Sequence, residues 1–316
     1  MTTAPPRAAP AGGSGGTGAG SGAFGTTEFI LYALTVATWS TSWIAIKLQV
    51  GPVPVWQSVL YRFSIAAVIM LVWVALSRRQ MRFPLSLHPR LMLMGALMFS
   101  MNFALFYVAA RWLTSGLLAV VFSLVTVLNP INAAVVLRDR VEPRVLLGAV
   151  IGITGIALIF WPEVARPGSG VLALYGLASA GVGAICFSLG NIVASGVHRR
   201  GYPVISTNAW SMVYGVILLA LIVAAIGDPP TFDPRTPYVV SLLALATVST
   251  VVPLASYLTL MRRIGPGRAG YATVMFPIGA LVISWLFEGY EWTWMALVGL
   301  ALALAGNLFV LGKPRD

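Results

Sequence analysis

Four residues early in the chain place aromatic and cationic side chains inside long apolar stretches. Trp39, Trp43 and Lys47 follow one another at intervals of four residues, so they would share one face of an α-helix. Arg62 lies within the next apolar stretch. Indole rings can form the walls of a pocket for an apolar or aromatic ligand, and a guanidinium can hold a carboxylate through two parallel hydrogen bonds. We expect Trp39, Trp43 and Arg62 to bind a small molecule.

Each of these residues also has a structural interpretation, and the sequence leaves both open. The two tryptophans can fill gaps between helices, while Lys47 can snorkel to lipid headgroups or stand at the mouth of a cavity. Arg62 can be a tether to helix-end carbonyls or to an acid such as Glu288. An intramembrane charge usually faces water or a partner, so Arg62 is a candidate site residue under either interpretation.

Further candidates for binding lie in three other apolar segments. Asn102 and Phe106 are four residues apart, as are Trp210 and Tyr214, and Tyr257 follows in a later segment. Aromatic residues at helical spacing more often pack against neighbouring helices than line a pocket, so packing is the alternative for each. We expect these five side chains to form opposite walls of one central cavity.

Three prolines fall inside apolar segments, at Pro130, Pro253 and Pro277. A proline inside a helix removes the hydrogen bond to the carbonyl four residues earlier and bends the helix. The carbonyls concerned belong to three hydroxyl-bearing residues, which are Thr126, Ser249 and Thr273. We predict hinges at the three prolines, with static curvature of the helices as the alternative.

The composition requires lipid as the solvent of most of the chain. Hydrophobic residues make up 58% and charged residues 9% of the 316 residues, and the mean hydropathy is +0.88. Soluble domains have about 25% charged residues. Residues 1–27 differ, because this Gly/Ser/Pro/Ala tract cannot bury enough apolar surface to fold, and we predict a disordered tail there.

Ten apolar segments are long enough to cross a bilayer as helices. They are residues 28–47, 54–76, 91–111, 115–137, 144–161, 171–196, 203–226, 237–263, 268–288 and 292–311. With the N-terminus placed inside, the inner loops and tails carry 15 of the 20 basic residues. The positive-inside rule therefore predicts cytoplasmic N- and C-termini, and it explains the net charge of +11 without nucleic acid as a partner.

The second half of the chain repeats the first at an offset of 151 residues. Arg111 aligns with Arg262, Phe106 with Tyr257, and two glycine pairs continue the same register: Gly148 with Gly299 and Gly155 with Gly306. A unit of five spans inserts the second copy upside down. Inverted repeats of this kind are typical of secondary transporters, which bind substrate near the midplane between the two halves.

The repeated segments resemble the EamA-type transporters of the drug/metabolite transporter superfamily. The resemblance rests on WSTSWIAIKLQVG, AARWLTSGLLAVV and LMRRIGPGRAGYATVMFPIGALVISWLFEGYEW, and it covers residues 28–311. Pro277 stands at the helix-breaking proline of the family and Glu291 near its usual loop glutamate, whereas the first copy has Thr126 and Asp139 there. The resemblance implies repeats at 28–161 and 171–311, ten helices, and the export or facilitated passage of a small metabolite.

Amino acids are the cargo class that the resemblance and the aromatic interior favour, and sugars, nucleotides and amines are the alternatives. We expect a multi-pass protein of the bacterial inner membrane that works by alternating access, with a cavity lined by spans 1, 3, 4, 6, 8 and 9 and with a smaller contribution from spans 2 and 7.

The chain has no HExxH or phosphate-binding motif and no Cys/His cluster, so we expect no metal, cofactor or enzymatic activity. All nine acids fall near span ends or in loops, which favours an uncoupled facilitator over a proton-driven carrier, although coupling through Glu28 or Glu288 stays open. A membrane enzyme and a channel are the remaining alternatives.

Overall fold

The computed structural model describes residues 25–138, 140–168 and 170–311, and within these ranges the chain is all helical without a strand. The described residues form 13 α-helices: α1 (Thr26–Lys47), α2 (Val55–Leu76), α3 (His88–Met94), α4 (Asn102–Ala109), α5 (Ser115–Ser123), α6 (Val125–Leu137), α7 (Pro143–Val164), α8 (Gly170–His198), α9 (Val204–Ile226), α10 (Thr236–Ala246), α11 (Val248–Gly270), α12 (Ala272–Glu288) and α13 (Trp294–Leu311). A π-helical segment, Gly95–Met101, joins α3 to α4. The tail predicted at 1–27 falls mostly on residues 1–24, which lie outside the described ranges, as does Asp139.

Eight helical segments of the described residues are long and apolar enough to cross a membrane. They coincide with eight of the ten predicted spans, and two shorter apolar helices, Thr236–Thr250 and Ala272–Glu288, fall at the other two. The protein is therefore a multi-pass membrane protein. Large apolar side chains on its outside, such as Leu76 and Phe287, are 80% and 73% exposed, as expected for contact with lipid chains.

Most helix ends fall where turn residues in the sequence predict them. Helices α9 and α12 stop at Gly227 and Gly289, whose φ angles of 76° and 68° belong to the left-handed region that glycine adopts readily. The loop predicted between residues 263 and 268 is wrong, because α11 continues to Gly270. The helix continues through Gly265-Pro266-Gly267 despite the turn propensity of these residues.

The contacts between helices show that the two halves are related by an approximate twofold axis. Helix α7 packs against α13 and α2 against α9, so equivalent helices of the two halves meet each other. Helix α1 packs against α11 and α12, and its counterpart α8 packs against α4 and α6. The largest contacts between the two halves are thus reciprocal under the repeat.

Glycines bring α7 and α13 into backbone contact. A Cβ on Gly155 would lie 2.5 Å from the carbonyl oxygen of Gly299, and one on Gly306 would lie 2.5 Å from that of Gly148. These two contacts exchange under the repeat, since Gly148 corresponds to Gly299 and Gly155 to Gly306. Small residues at these four positions therefore allow the two backbones to approach closely.

Each intramembrane proline follows an interruption of its helix by six residues. Regular α-helix breaks at Leu124, Thr247 and Tyr271, and Pro130, Pro253 and Pro277 stand six positions later. A proline relaxes the turn before it because it both lacks an N–H donor and presses against the preceding carbonyl. The predicted distortion of these three helices is therefore confirmed.

Candidate substrate cavity

A cavity of about 730 Å³ lies between the two halves of the bundle. Its deep end is lined by Arg62 of α2 and Phe103 of α4, and its other end by Glu142, Arg144 and Leu311. Helices α1, α5, α6, α8, α11 and α12 contribute the wall between these ends. Its volume falls within the range of about 300–1,000 Å³ that small-molecule sites occupy.

The indoles of α1 join the aromatic residues of both halves into one wall. The Trp39 ring centroid lies 5.3 Å from that of Tyr257 in α11 and 6.0 Å from that of Phe276 in α12. The Trp43 centroid lies 5.3 Å from that of Phe122 in α5 and stacks on Phe276 at 6.4 Å. The i, i+4 spacing of the two tryptophans thus presents a continuous aromatic surface to the cavity.

The proline-distorted helices provide the polar part of the lining. Thr126, Ser249 and Thr273 all line the cavity, and they are the residues whose carbonyls the three prolines free from helical hydrogen bonds. The Ser42 hydroxyl donates to the Ser249 hydroxyl at 2.8 Å, which ties α1 to this turn of α11. The turns that precede the three prolines therefore contribute polar residues to the cavity lining.

Two asparagines extend the polar lining toward the Leu311 end. The Asn191 side chain of α8 donates to the Asn129 amide oxygen of α6 at 3.3 Å, and both residues line the cavity. Phe187, one turn before Asn191, completes the aromatic wall at 5.0 Å from Phe122. Sequence reasoning missed Phe122, Phe187 and the asparagine pair. The usable signals were the i, i+4 spacings of Phe187 with Asn191 and of Phe122 with Thr126.

Arg62 is a buried cation without an acidic partner among the described residues. It is 4% exposed, and its Nε and Nη1 atoms have no hydrogen-bond partner. Its guanidinium carbon instead lies 4.5 Å from the Phe103 ring centroid and 5.2 Å from that of Phe63. The aromatic faces stabilise the cation only partly. The tether to Glu288 is wrong, because that carboxylate binds elsewhere.

Hydrogen bonds join the helices at the end of the bundle where α1 and α12 finish. Glu288 accepts hydrogen bonds from the Ser115 backbone N–H at 2.9 Å and from the Ser115 hydroxyl, at the first residue of α5. Lys47 donates to the carbonyls of Ala110 and Leu113 at 2.6 and 3.0 Å. A carboxylate at a helix N-terminus and an ammonium on chain carbonyls are favourable pairings, so together they fasten α1, α5 and α12. We refer to this region as the Lys47 end.

The opposite end of the bundle, where α13 finishes at Leu311, carries the rest of the cavity lining. Glu142 and Arg144 pair at 2.5 Å beside the first turn of α7, and Val145 and Val310 line the same region. Helix α1 begins at this end, where Glu28 pairs with Arg263 of α11 at 2.8 Å. The Glu28–Arg263 pair joins α1 to α11, so charged side chains hold helices together at the Leu311 end as they do at the Lys47 end.

Four of the eight predicted binding residues line the cavity, and four do not. Trp39, Trp43, Arg62 and Tyr257 are lining residues. Phe106 is 1% exposed and packs behind Trp43, with 5.2 Å between the ring centroids. Asn102 is fully buried, and its amide nitrogen lies 3.4 Å from the Met98 carbonyl.

Trp210 and Tyr214 lie away from the cavity, on the side of α9 that meets α3. The Trp210 indole N–H donates to the Met81 carbonyl at 2.9 Å, and the Tyr214 hydroxyl lies 2.6 Å from His88 Nδ1. Helix α9 contributes no lining residue among those described, so the expected help from span 7 is wrong, whereas spans 5 and 10 contribute at the Leu311 end. The physical reason is that α9 packs against α2 and α3, outside the helices that surround the cavity.

A family model described as the EamA-like transporter family matches residues 27–161 and 174–312. The uncharacterized transporter YoaV of Bacillus subtilis is 21% identical over 280 residues, which cover 88% of this chain and 95% of YoaV. Protein PagO of Salmonella typhimurium is 23% identical over 91% of this chain and 96% of its own. An uncharacterized transporter of Archaeoglobus fulgidus is 22% identical over 90% of this chain and 99% of its own.

A solved crystal structure has the same fold as this chain. It superposes with a TM-score of 0.61 at 16% sequence identity, and the match covers 90% of this chain and 96% of the other. At this identity the likeness concerns the path of the backbone alone. It shows that the arrangement of helices around the cavity recurs in another chain of nearly the same length.

Proposed function

The chain belongs to the EamA-like transporter family, and we propose that it moves small metabolites, with amino acids as the cargo class, by alternating access. The observation that carries this proposal is the aromatic and polar cavity of about 730 Å³ between the two repeats. Its size suits an amino acid, its aromatic wall suits an apolar or aromatic side chain, and its hydroxyl-bearing residues and asparagines suit a polar backbone.

The topology of the proposal has ten spans, in which the helices at 236–270 and Ala272–Glu288 complete the eight longer segments. The repeats correspond to residues 28–161 and 171–311, inverted relative to each other. The positive-inside bias of the loops assigns the Leu311 end to the cytoplasm and the Lys47 end to the outside. The described state is then closed to the outside, and the membrane is the bacterial inner membrane.

Alternating access follows from the symmetry between the halves. Inverted repeats allow a transporter to reach its second state when each half adopts the packing of the other. In the described state the Lys47 end is fastened by Glu288 and Ser115, and outward opening breaks those hydrogen bonds. The helix interruptions before Pro130, Pro253 and Pro277 are the proposed hinges, because they already lack regular helical hydrogen bonds.

The proposal makes the protein a facilitator that runs down the gradient of its cargo. Glu142 is the one carboxylate among the described lining residues, and it pairs with Arg144 at the rim. A proton-coupled carrier would place a titratable carboxylate deep in the pathway. The relatives YoaV and PagO are not named by a substrate, so the cargo class rests on the cavity alone.

Counterflow in proteoliposomes tests this function. Vesicles are loaded with one unlabelled amino acid at a time, labelled amino acid is added outside, and uptake is followed with and without a proton ionophore. Saturable uptake that needs the internal amino acid and ignores the ionophore is the expected result. Linear uptake without a dependence on internal cargo would indicate a channel, and exchange of sugars, nucleotides or amines alone would remove amino acids as the cargo.

A further inference from the structure

We propose that the cavity recognises its cargo by a carboxylate, which binds the Arg62 guanidinium, and that the cargo needs no amino group. The inference rests on the proposed transport function and extends it from amino acids to amphipathic monocarboxylates in general. Its basis is the distribution of charge along the cavity. The deep end holds one buried cation, and the described lining residues near that cation include no acid.

The burial of Arg62 is what requires an anion. The side chain is 4% exposed, and two of its nitrogens have no hydrogen-bond partner. A guanidinium in such surroundings usually has a carboxylate or a set of carbonyls around it, because an uncompensated buried charge is strongly unfavourable. The described residues supply the Tyr107 hydroxyl and two aromatic faces, the latter at 4.5 and 5.2 Å, and none of these carries a negative charge. An incoming carboxylate supplies the missing countercharge.

The surroundings of Arg62 favour a carboxylate with an apolar body over other anions. The guanidinium is planar and matches a carboxylate through two parallel hydrogen bonds. Arg62 is one positive charge, which a monocarboxylate neutralises, whereas a phosphate dianion would leave the site negative. The other lining cation, Arg144, belongs to the rim and pairs with Glu142. Trp39 and Trp43 cover the space in which the apolar body of the cargo would lie.

An amino group has no matching acid at this depth. The Glu142 carboxylate pairs with Arg144 at the rim, so an ammonium beside Arg62 would meet hydroxyls and carbonyls only. These neutral acceptors tolerate an ammonium without requiring one. A carboxylic acid that lacks the amine should therefore bind about as well as the amino acid, and the amine that lacks the carboxylate should not bind.

Arg62 also connects the site to the closed end of the bundle. Tyr107, which is fully buried, lies within electrostatic reach of Arg62, and its hydroxyl donates to the Gln49 side-chain oxygen at 2.7 Å. Gln49 follows Lys47 at the end of α1. A carboxylate that draws Arg62 away from Phe103 therefore also acts on Tyr107, whose hydroxyl is bonded to the residue two positions after Lys47. Binding of an anion thereby reaches the segment that follows α1.

The first test uses the wild-type protein with four probes that share one phenyl group. Purified protein in detergent is heated with phenylalanine, 3-phenylpropionate, phenethylamine or phenyl phosphate. We expect phenylalanine and 3-phenylpropionate to raise the Tm by about 3 °C or more at saturation, and phenethylamine to have no effect. Protection by phenethylamine, stronger protection by phenyl phosphate, or no protection by either carboxylate would overturn the inference.

The second test changes Arg62. Arg62→Lys keeps the charge but loses the planar pair of donors, so the apparent affinity for 3-phenylpropionate should fall about 10-fold. Arg62→Met fills the same space without charge, so carboxylate protection should disappear while the Tm without ligand stays equal or rises. Arg111→Gln, at an exposed arginine, is the matched control and should behave as wild type. Unchanged affinity in Arg62→Met would remove Arg62 from the site.

The same experiments separate this inference from the transport proposal. Carboxylate protection that depends on Arg62, without any counterflow, would end the transport proposal and leave the recognition of carboxylates standing. Counterflow of an amine or a sugar, without a rise of the Tm by carboxylates, would support transport and end the proposal that the cavity recognises carboxylates. A large loss of Tm in both Arg62→Lys and Arg62→Met, together with unprotected wild type, would show that Arg62 is a structural tether.

Discussion

Two pairs of aromatic residues in this chain look alike in sequence and differ in the structure. Trp39 and Trp43 in α1, and Trp210 and Tyr214 in α9, are both spaced by four residues within a long apolar helix. The α1 pair lines the cavity and meets aromatic rings from both halves. The α9 pair stacks internally, with 5.9 Å between centroids, and packs on His88.

The difference teaches that the neighbours of a helix, and not its own pattern, decide whether an aromatic stripe binds substrate. Helix α1 packs against α11 and α12, which proline interruptions hold open around the cavity. Helix α9 packs closely against the π-helical segment, where a Cβ on Gly95 would lie 2.3 Å from the Ser211 carbonyl. An aromatic pair beside such close packing can only fill space, whereas the α1 pair can face cargo.

The largest expected effect is on stability, at the pair Trp210 and Tyr214, which we call the packing pair. Trp210→Ala should lower the free energy of unfolding by about 2–3 kcal/mol, because it removes the ring that lies 5.3 Å from His88 and the hydrogen bond to Met81. The measurement is the Tm of the purified variant in one detergent, followed by its KM for the cargo in counterflow below that Tm. A raised KM with an unchanged Tm would place Trp210 in the substrate pathway.

The next largest effect is on substrate binding, at the pair Trp39 and Trp43, which we call the cavity pair. Trp39→Ala should raise KM for an aromatic cargo about 10-fold, because the indole forms part of the wall with Tyr257 and Phe276. Trp39→Phe keeps an aromatic ring, so its KM should rise only about threefold. Counterflow kinetics give both values. If Trp39→Ala costs stability as Trp210→Ala does and leaves KM unchanged, the two pairs have the same role.

A smaller effect tests the polar contact of the packing pair. Tyr214→Phe removes the hydroxyl that lies 2.6 Å from His88 Nδ1, so it should cost about 1 kcal/mol of stability and leave transport unchanged. His88→Ala should cost a similar amount, and the double variant little more than either single change, as coupled partners do. Additive losses in thermal unfolding would show that the two side chains do not interact.

The smallest effect compares the buried Ser211 of α9 with Ser249, which lines the cavity. Ser211 in α9 has a hydroxyl without a hydrogen-bond partner, so Ser211→Ala should leave stability unchanged or raise it by a few tenths of a kcal/mol. Ser249 bonds to Ser42 beside the Trp39 cavity, so Ser249→Ala should change the transport rate about threefold with a similar Tm. Thermal unfolding gives the stability of both variants, and counterflow gives their transport rates. A slower transport in Ser211→Ala would contradict the separation of the two regions.

Several features of the fold were determined by the sequence, because they depend on local physics. Apolar length places the membrane-crossing helices, positive-φ glycines end α9 and α12, and helical breaks stand six residues before the prolines of α6, α11 and α12. The offset of the repeat pairs Gly148 with Gly299 and Gly155 with Gly306, and the structure uses these four residues in reciprocal contacts. Each of these signals is carried by a residue and its near neighbours in the chain.

The composition of the site was decided by tertiary structure. Helical spacing tells which side chains share a face, but the helix that this face meets is set by packing across the two halves. Trp39 faces the cavity because α11 and α12 lie opposite it. Trp210 lies away from the cavity because α3 lies opposite it. The same holds for Glu288, whose partner Ser115 lies 173 residues away in the chain. Arg62 is visible in the sequence as a costly charge, but its aromatic surroundings and missing acid appear only when distant helices pack together.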